Sequence, residues 1–183
     1  MDQLKTRRLF LGRAYLSAAG VIASVRTAVA DVGGAEKAAK KGRVIAACTK
    51  RWSDNKGDCS AFVRAVAHDL GLDLSGNANS IYSQITASPW NRIGIGTDAA
   101  TVAGVTAGEG NLVIGAKKDQ PNGHVAVVVD YRNAFASYSP LDRNKAVAFW
   151  GSLNSVGHEY TRITLSWTAT DLKDVLFAYR PIP

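Results

Sequence analysis

Two residues of this chain, Cys59 and His124, have the types needed for nucleophilic catalysis, and they lie 65 positions apart. Asp58-Cys59-Ser60 comes just before an amphipathic run, which places the thiol at the head of a helix. Backbone N–H groups and the helix dipole favour negative charge there. A thiol in that position is expected to have its pKa lowered toward the reactive thiolate. Asp58 and Ser60 are candidate caps for the same turn, and its N–H groups are candidate oxyanion donors. His124 opens the apolar run His-Val-Ala-Val-Val-Val-Asp, directly after Asn122-Gly123. Strand alternation sends His124, Ala126 and Val128 to one face. A glycine ahead of the histidine lets another element come close. A cysteine nucleophile and a histidine base are often drawn from distant parts of a chain. Each residue also has an inert reading, a small buried hydrophobe for the cysteine and a surface imidazole for the histidine. His68 stands nine positions beyond Cys59, too far along the helix to reach back, and His158 falls in a polar, solvent-facing loop. No group of residues has metal-ligand spacing, and neither metal nor other cofactor is expected.

The elements that would hold this pair follow from periodicity. Val44 to Trp52 reads as one or two helical turns, with Ile45, Cys48 and Trp52 on one face. Ser53 to Gly57 is a polar turn. Phe62, Val63, Val66, Ala67 and Leu70 recur at helical steps, with Gly71 as the stop. Leu72 to Asn79 reads as a loop, and Ser80 to Thr86 as a short helix ended by Pro89. Short β-type runs follow at Asn111–Ala116, Val125–Tyr131, Ala146–Trp150, Arg162–Trp167 and Asp174–Tyr179. Gly94 to Gly110 reads as loop or irregular helix. Helices first and strands after predict an α+β fold, an antiparallel sheet covered on one face by the early helices. No internal repeat of solenoid period is present.

With 183 residues, 46% hydrophobic and 20% charged, the chain is neither disordered nor collagen-like nor a polytopic membrane protein. Its formal charge of +7 would ordinarily suggest nucleic acid. However, residues 1–30 hold five of the cations and one anion, and the remaining residues balance to only +3. Nucleic acid is therefore not an expected partner. Met1 to Arg13 is a basic head and Ala14 to Val25 a weakly apolar middle. Ala28-Val29-Ala30 is a small-x-small cleavage site. This is the pattern of a signal peptide, and Arg7-Arg8 before Leu9-Phe10-Leu11 has the look of a twin-arginine signal. The expected organisation is a leader over 1–30, a tether or frayed helix start over 31–43 and one domain over 44–183. The apolar middle is too short for a stable membrane anchor. Such a protein works in the periplasm or outside the cell.

Asp58-Cys59-Ser60-Ala61-Phe62-Val63, followed by Gly123-His124-Val125-Ala126-Val127-Val128, resembles the NlpC/P60 cysteine peptidases of papain-like fold. The chain is more similar still to the first family of type VI secretion amidase effectors. That likeness runs through Ala47-Cys48 with Trp52, the Cys59 block to Leu70-Gly71, Gly76-Asn77-Ala78-Asn79, Leu112-Val113-Ile114, the His124 block and Trp150-Gly151-Ser152. The resemblance implies a papain-like NlpC/P60 fold and an amidase that cuts peptidoglycan stem peptides at the D-glutamyl–diaminopimelate bond. Cys59 is then the nucleophile and His124 the base. Asp58, Ser60, Asn77, Asn79, Gly123 and Trp150 are the expected substrate-binding residues. A backbone carbonyl near Trp150-Gly151 is a candidate to orient the base. For the Asn77–Asn79 loop, the competing reading is a turn bonded to its own backbone. Trp52 and Trp90 are candidate groove walls, with core packing the stronger reading for Trp52. Cys48 is expected to be unpaired in the core beside Ile45 and Trp52, because pairing it with Cys59 would remove the nucleophile. The expected state is a monomer, and an immunity protein is the partner that a likeness to injected effectors allows.

The sequence departs from the family pattern in three places. Ala61 replaces the usual glycine after Cys-Ser, which is expected to narrow the groove. No polar side chain marks a third catalytic position. Injected effectors normally lack a leader. Two other functions compete, a non-catalytic wall-binding module with a relic Cys–His pair and an acyltransferase or deamidase on the same scaffold.

Overall fold

The computed structural model describes residues 19–131, 146–153 and 155–183. The chain divides into two compact units, Met1–Gly34 and Ala35–Pro183. In the first, the described residues are helical from Ala19, and Arg7-Arg8 lies outside them.

In the second unit, helix α1 (Ala19–Asn55) is present from Ala35 onward, so residues 35–43 are helical. Lys37 pairs with Glu109 at 3.0 Å and Lys41 with Asp130 at 2.7 Å. Then come α2 (Cys59–Asp69), α3 (Ala78–Ile85), β1 (Asn91–Ile95) and α4 (Thr97–Gly108). The remaining strands are β2 (Asn111–Lys117), β3 (His124–Tyr131), β4 (Ala146–Trp150), β5 (His158–Arg162) and β6 (Leu176–Pro181). They form one antiparallel sheet in the order β1-β6-β2-β3-β4-β5. This is the α+β architecture expected from the sequence, with the early helices on one face, and it is consistent with a papain-like fold.

The apolar positions of α1, α2 and α3 face the sheet. Val44 and Cys48 of α1, Phe62, Val63 and Val66 of α2, and Ile81 and Ile85 of α3 are buried with Leu112, Ile114, Val125 and Val127. The opposite face is covered as well. Ala99, Ala100, Ala103 and Ala107 of α4, with Ile163, Trp167 and Leu172, pack on Val113, Ala126, Val128 and Trp150. Burial on both faces is why β2 and β3 read as continuous apolar runs rather than alternating ones.

Some expectations are corrected. Gly94–Gly110 is neither loop nor irregular helix, but ends β1 and forms α4. Alanine dominates that helix, so its buried face carries little hydrophobic contrast. Arg162–Trp167 is not a strand. Strand β5 ends at Arg162 and a 3₁₀ turn occupies Ile163–Leu165. His158 is therefore on a strand rather than in a loop, although it is exposed as expected. Asp174 closes a second 3₁₀ turn, and β6 starts at Leu176.

Phe62 is fully buried between α2 and the sheet. Phe62→Ala is expected to lower the unfolding free energy by about 3–5 kcal/mol in urea denaturation. A loss below about 1 kcal/mol would mean that α2 is not docked as described.

Candidate active site

Helix α2 begins at Cys59 because Asp58 caps it. The Asp58 backbone is extended, and its Oδ1 accepts from the N–H of Ser60 at 2.8 Å and of Ala61 at 3.0 Å. The Phe62 N–H bonds the Asp58 carbonyl at 3.0 Å. The expectation that the first-turn amides stand open as an oxyanion hole is thus narrowed to Cys59: the N–H groups of Ser60, Ala61 and Phe62 bond Asp58. Among the described residues, no acceptor is found for the Cys59 N–H.

The loop ahead of Cys59 is clamped by the end of β4. The Trp52 Nε1–H donates to the Trp150 carbonyl at 3.2 Å, and the Ser152 N–H to the Lys56 carbonyl at 2.9 Å. A Cβ on Gly151 would fall 2.4 Å from the Asn55 carbonyl oxygen and 2.7 Å from that of Asp58. Only glycine lets β4 lie that close to the turn that presents the thiol.

Cys59 is 3% exposed, and Ser60 Oγ lies 3.9 Å from its sulfur. Burial raises the thiol pKa above its ordinary value, with the Asp58 charge adding to it, even though the Val125 N–H and the hydroxyl and N–H of Ser60 favour the thiolate. The expected lowering at the helix start is therefore corrected as well. Desolvation disfavours the charged form and outweighs the donors that face the sulfur. Both cysteines are free, and Cys48 is fully buried.

His124 begins β3, one residue before the Val125 amide that favours the thiolate. Its Nε2 lies 2.8 Å from Ser166 Oγ. The ring meets Trp167 edge to face, with centroids 5.1 Å apart. Burial lowers its pKa to about 4, so the imidazole is neutral at neutral pH. No hydrogen bond joins the imidazole to the thiol. Gly123 is required by a close approach, since a Cβ there would lie 2.4 Å from Asn79 Oδ1 and from the Lys117 carbonyl oxygen.

A cleft of about 240 Å³ opens over the thiol. Asp58, Cys59, Ser60 and Arg64 form one side, Gly76, Asn77 and Ala78 another, and Asn122, Gly123 and Leu153 complete it. Of the expected binding residues, the structure brings together Asp58, Ser60, Asn77 and Gly123. Asn77 also caps α3, its Oδ1 accepting from the Ser80 N–H at 3.0 Å. Asn79 is not in the cleft. Its amide donates to the Asp119 carbonyl at 2.9 Å and accepts from the Asp119 N–H at 3.2 Å. The Trp150 side chain is 2% exposed, inside the core beneath α4. Its carbonyl holds Trp52, while His124 bonds Ser166 instead of a backbone carbonyl near Gly151. Trp52 and Trp90 pack against the core rather than lining the cleft. Ala61 is not a lining residue.

Sequence reasoning missed Arg64 and Ser166. Arg64 stands one turn beyond Ser60 on the same helical stripe, a signal within reach. Ser166 lies 42 positions from His124 in a stretch read as strand, and nothing local marks it.

Because the buried thiol is protonated, its thiolate absorbance in a Cys48→Ala variant is expected to appear only above the usual cysteine range. A titration midpoint below pH 8 would overturn this account of the site.

No family model matches the chain. It is 33% identical over 140 residues to peptidoglycan amidase Tse1 of Pseudomonas aeruginosa, an alignment covering 70% of this chain and 82% of that protein. With a cysteine-headed helix set against a histidine-headed strand, and with that degree of identity over that span, the chain belongs to the family of peptidoglycan amidase Tse1.

Proposed function

We propose that the protein is a cysteine amidase that hydrolyses the peptide stems of peptidoglycan, at the bond between D-glutamate and diaminopimelate. The observation that carries this reading is Cys59, at the head of α2 on a cleft wall, beside the histidine-headed end of β3 in a chain of this family. His124 is the base. With Ser166 Oγ accepting from Nε2–H, Nδ1 carries the lone pair. Proton transfer from the thiol to Nδ1 frees the thiolate to attack the scissile carbonyl carbon. The Cys59 N–H receives the developing oxyanion. Collapse of the tetrahedral species breaks the C–N bond, and the imidazolium protonates the leaving amine. Water then attacks the thioester with His124 again as base, releasing the new carboxylate and the thiol.

A neutral thiol beside a neutral imidazole favours general-base activation over a standing ion pair. Catalytic hydrogen bonds often tighten only once substrate is bound, and side-chain torsions at the end of β3 are the motion required here. The competing reading, a wall-binding module with a relic pair, draws on the missing thiol–imidazole bond. Of the expected substrate-binding residues, Asp58, Ser60, Asn77 and Gly123 keep that role in the proposal as cleft residues.

We also propose that residues 1–30 are a twin-arginine leader, that the domain acts as a monomer in the periplasm or beyond, and that an immunity protein would act by filling the cleft. No described helix is long and apolar enough to cross a membrane.

Protein lacking residues 1–30 is expected to release stem fragments from purified sacculi. Cys59→Ala and His124→Ala should abolish release with the fold intact by circular dichroism. Unchanged release by Cys59→Ala would sink the mechanism, and sacculus binding without release by the parent would favour the module. Because burial holds the His124 pKa to about 4, the base stays neutral on acidification. The acid limb of kcat/KM should therefore lie near pH 4, and a limb near an ordinary histidine value would contradict this. Ser166→Ala is expected to lower kcat about tenfold with little change in KM, as loss of an orienting hydrogen bond on the base predicts, and Ser166→Thr should recover part of it.

A further inference from the structure

Arg64 is the cation of the catalytic cleft, and its charge is unclaimed. Helical side chains lean toward the helix N-terminus, so Arg64 runs back along α2 toward the turn that carries Cys59. The structure fixes that course, because Arg64 Nε donates to the Ser60 carbonyl at 3.3 Å. This contact uses one N–H of the guanidinium. Among the described residues, no carboxylate lies within ion-pair distance of Arg64, and its Nη groups have no hydrogen-bond partner. By contrast, the Arg51 fork is filled by Asp69 through two bonds. The Asp58 carboxylate in the same cleft is turned into the helix cap and does not reach across to neutralise Arg64. Asn77 adds a donor. Capping fixes its Oδ1 on the Ser80 N–H and hydroxyl, which leaves the Nδ2 end as the unspent half of the amide.

We infer that Arg64 is the subsite for a free carboxylate of the substrate, set next to the scissile bond. A guanidinium held at Nε presents its remaining N–H groups as a fork that matches a carboxylate in two parallel bonds. Resting on the proposed stem-peptide reading, the carboxylate is the α-carboxylate of the D-glutamyl residue. That residue is attacked through its side-chain carbonyl, so a short aliphatic spacer separates the two groups. Arg64 thus makes the protein selective for stems that leave this carboxylate free over stems that carry a carboxamide there. A carboxamide would leave the guanidinium facing a second donor.

The test uses two synthetic stem peptides that differ only in this group, carboxylate in one and carboxamide in the other. Binding is measured by calorimetry with the full chain carrying Cys59→Ala, so no turnover is needed. The carboxylate stem should bind about tenfold to a hundredfold more tightly, as charge-assisted pairing implies. With Arg64→Gln added, the ratio should fall to near one, and Arg64→Lys should recover only part of it, having charge without the fork. An equal preference with and without Arg64, no preference in the Cys59→Ala protein, or no binding of either stem would each overturn the inference. Cleavage by the wild-type chain is scored separately. If the calorimetric preference holds and neither stem is cut, the subsite stands and the amidase reading falls.

Discussion

One oxygen of Asp58 takes two N–H groups of the first turn of α2, and the chemistry of the site follows from that bond. It starts the helix at Cys59, so the thiol has a fixed place. It also sets a carboxylate near the sulfur, whose charge works against a thiolate. Burial by the sheet leaves the thiol protonated, and the imidazole at the start of β3 is also neutral. On the proposed mechanism the two store no charge at rest, and reactivity comes from proton transfer when substrate arrives. The same constraint explains the clamp behind the turn. Trp150, Gly151 and Ser152 hold the loop from Trp52 to Asp58, so the cap cannot drift away from β3.

The sheet is the second constraint. Its middle strands are covered by α1 to α3 on one face and by α4 with the 3₁₀ turns on the other. Cys59 belongs to the first layer, whereas the His124 ring leans on Trp167 of the second. The site therefore lies where the two layers meet at the end of β3. His124 is buried enough to stay neutral, while its chain neighbours Asn122 and Gly123 line the cleft. Ser166 is at the same boundary and gives the imidazole its polar partner.

What the sequence made legible was whatever carried strong contrast. The Phe62–Leu70 spacing marked α2, the Asp58 cap marked its start, and the apolar runs at Leu112 and Val125 marked the central strands. The role of Asn77 at the end of a loop and the start of a helix was half visible, since both readings of that segment used the same amide. Helix α4 was hidden because small residues pack there without a hydrophobic stripe, and strand β1 because Asn91-Arg92-Ile93-Gly94-Ile95 is short, polar at its start and largely exposed. Direction of the thiol pKa was misread for a physical reason: a helix start favours a thiolate only while water is near, and here burial outweighs the donors. Trp150 was assigned to the cleft on resemblance, but its indole is core, and only its carbonyl serves the site.

Asn79 carries a mechanical consequence. Its amide is locked to both backbone groups of Asp119 and presses on Gly123, while Asn77, two residues earlier, lines the cleft. The cleft wall and the backbone that leads into His124 are therefore tied together by one side chain. A substitution at Asn79 would disturb both at once.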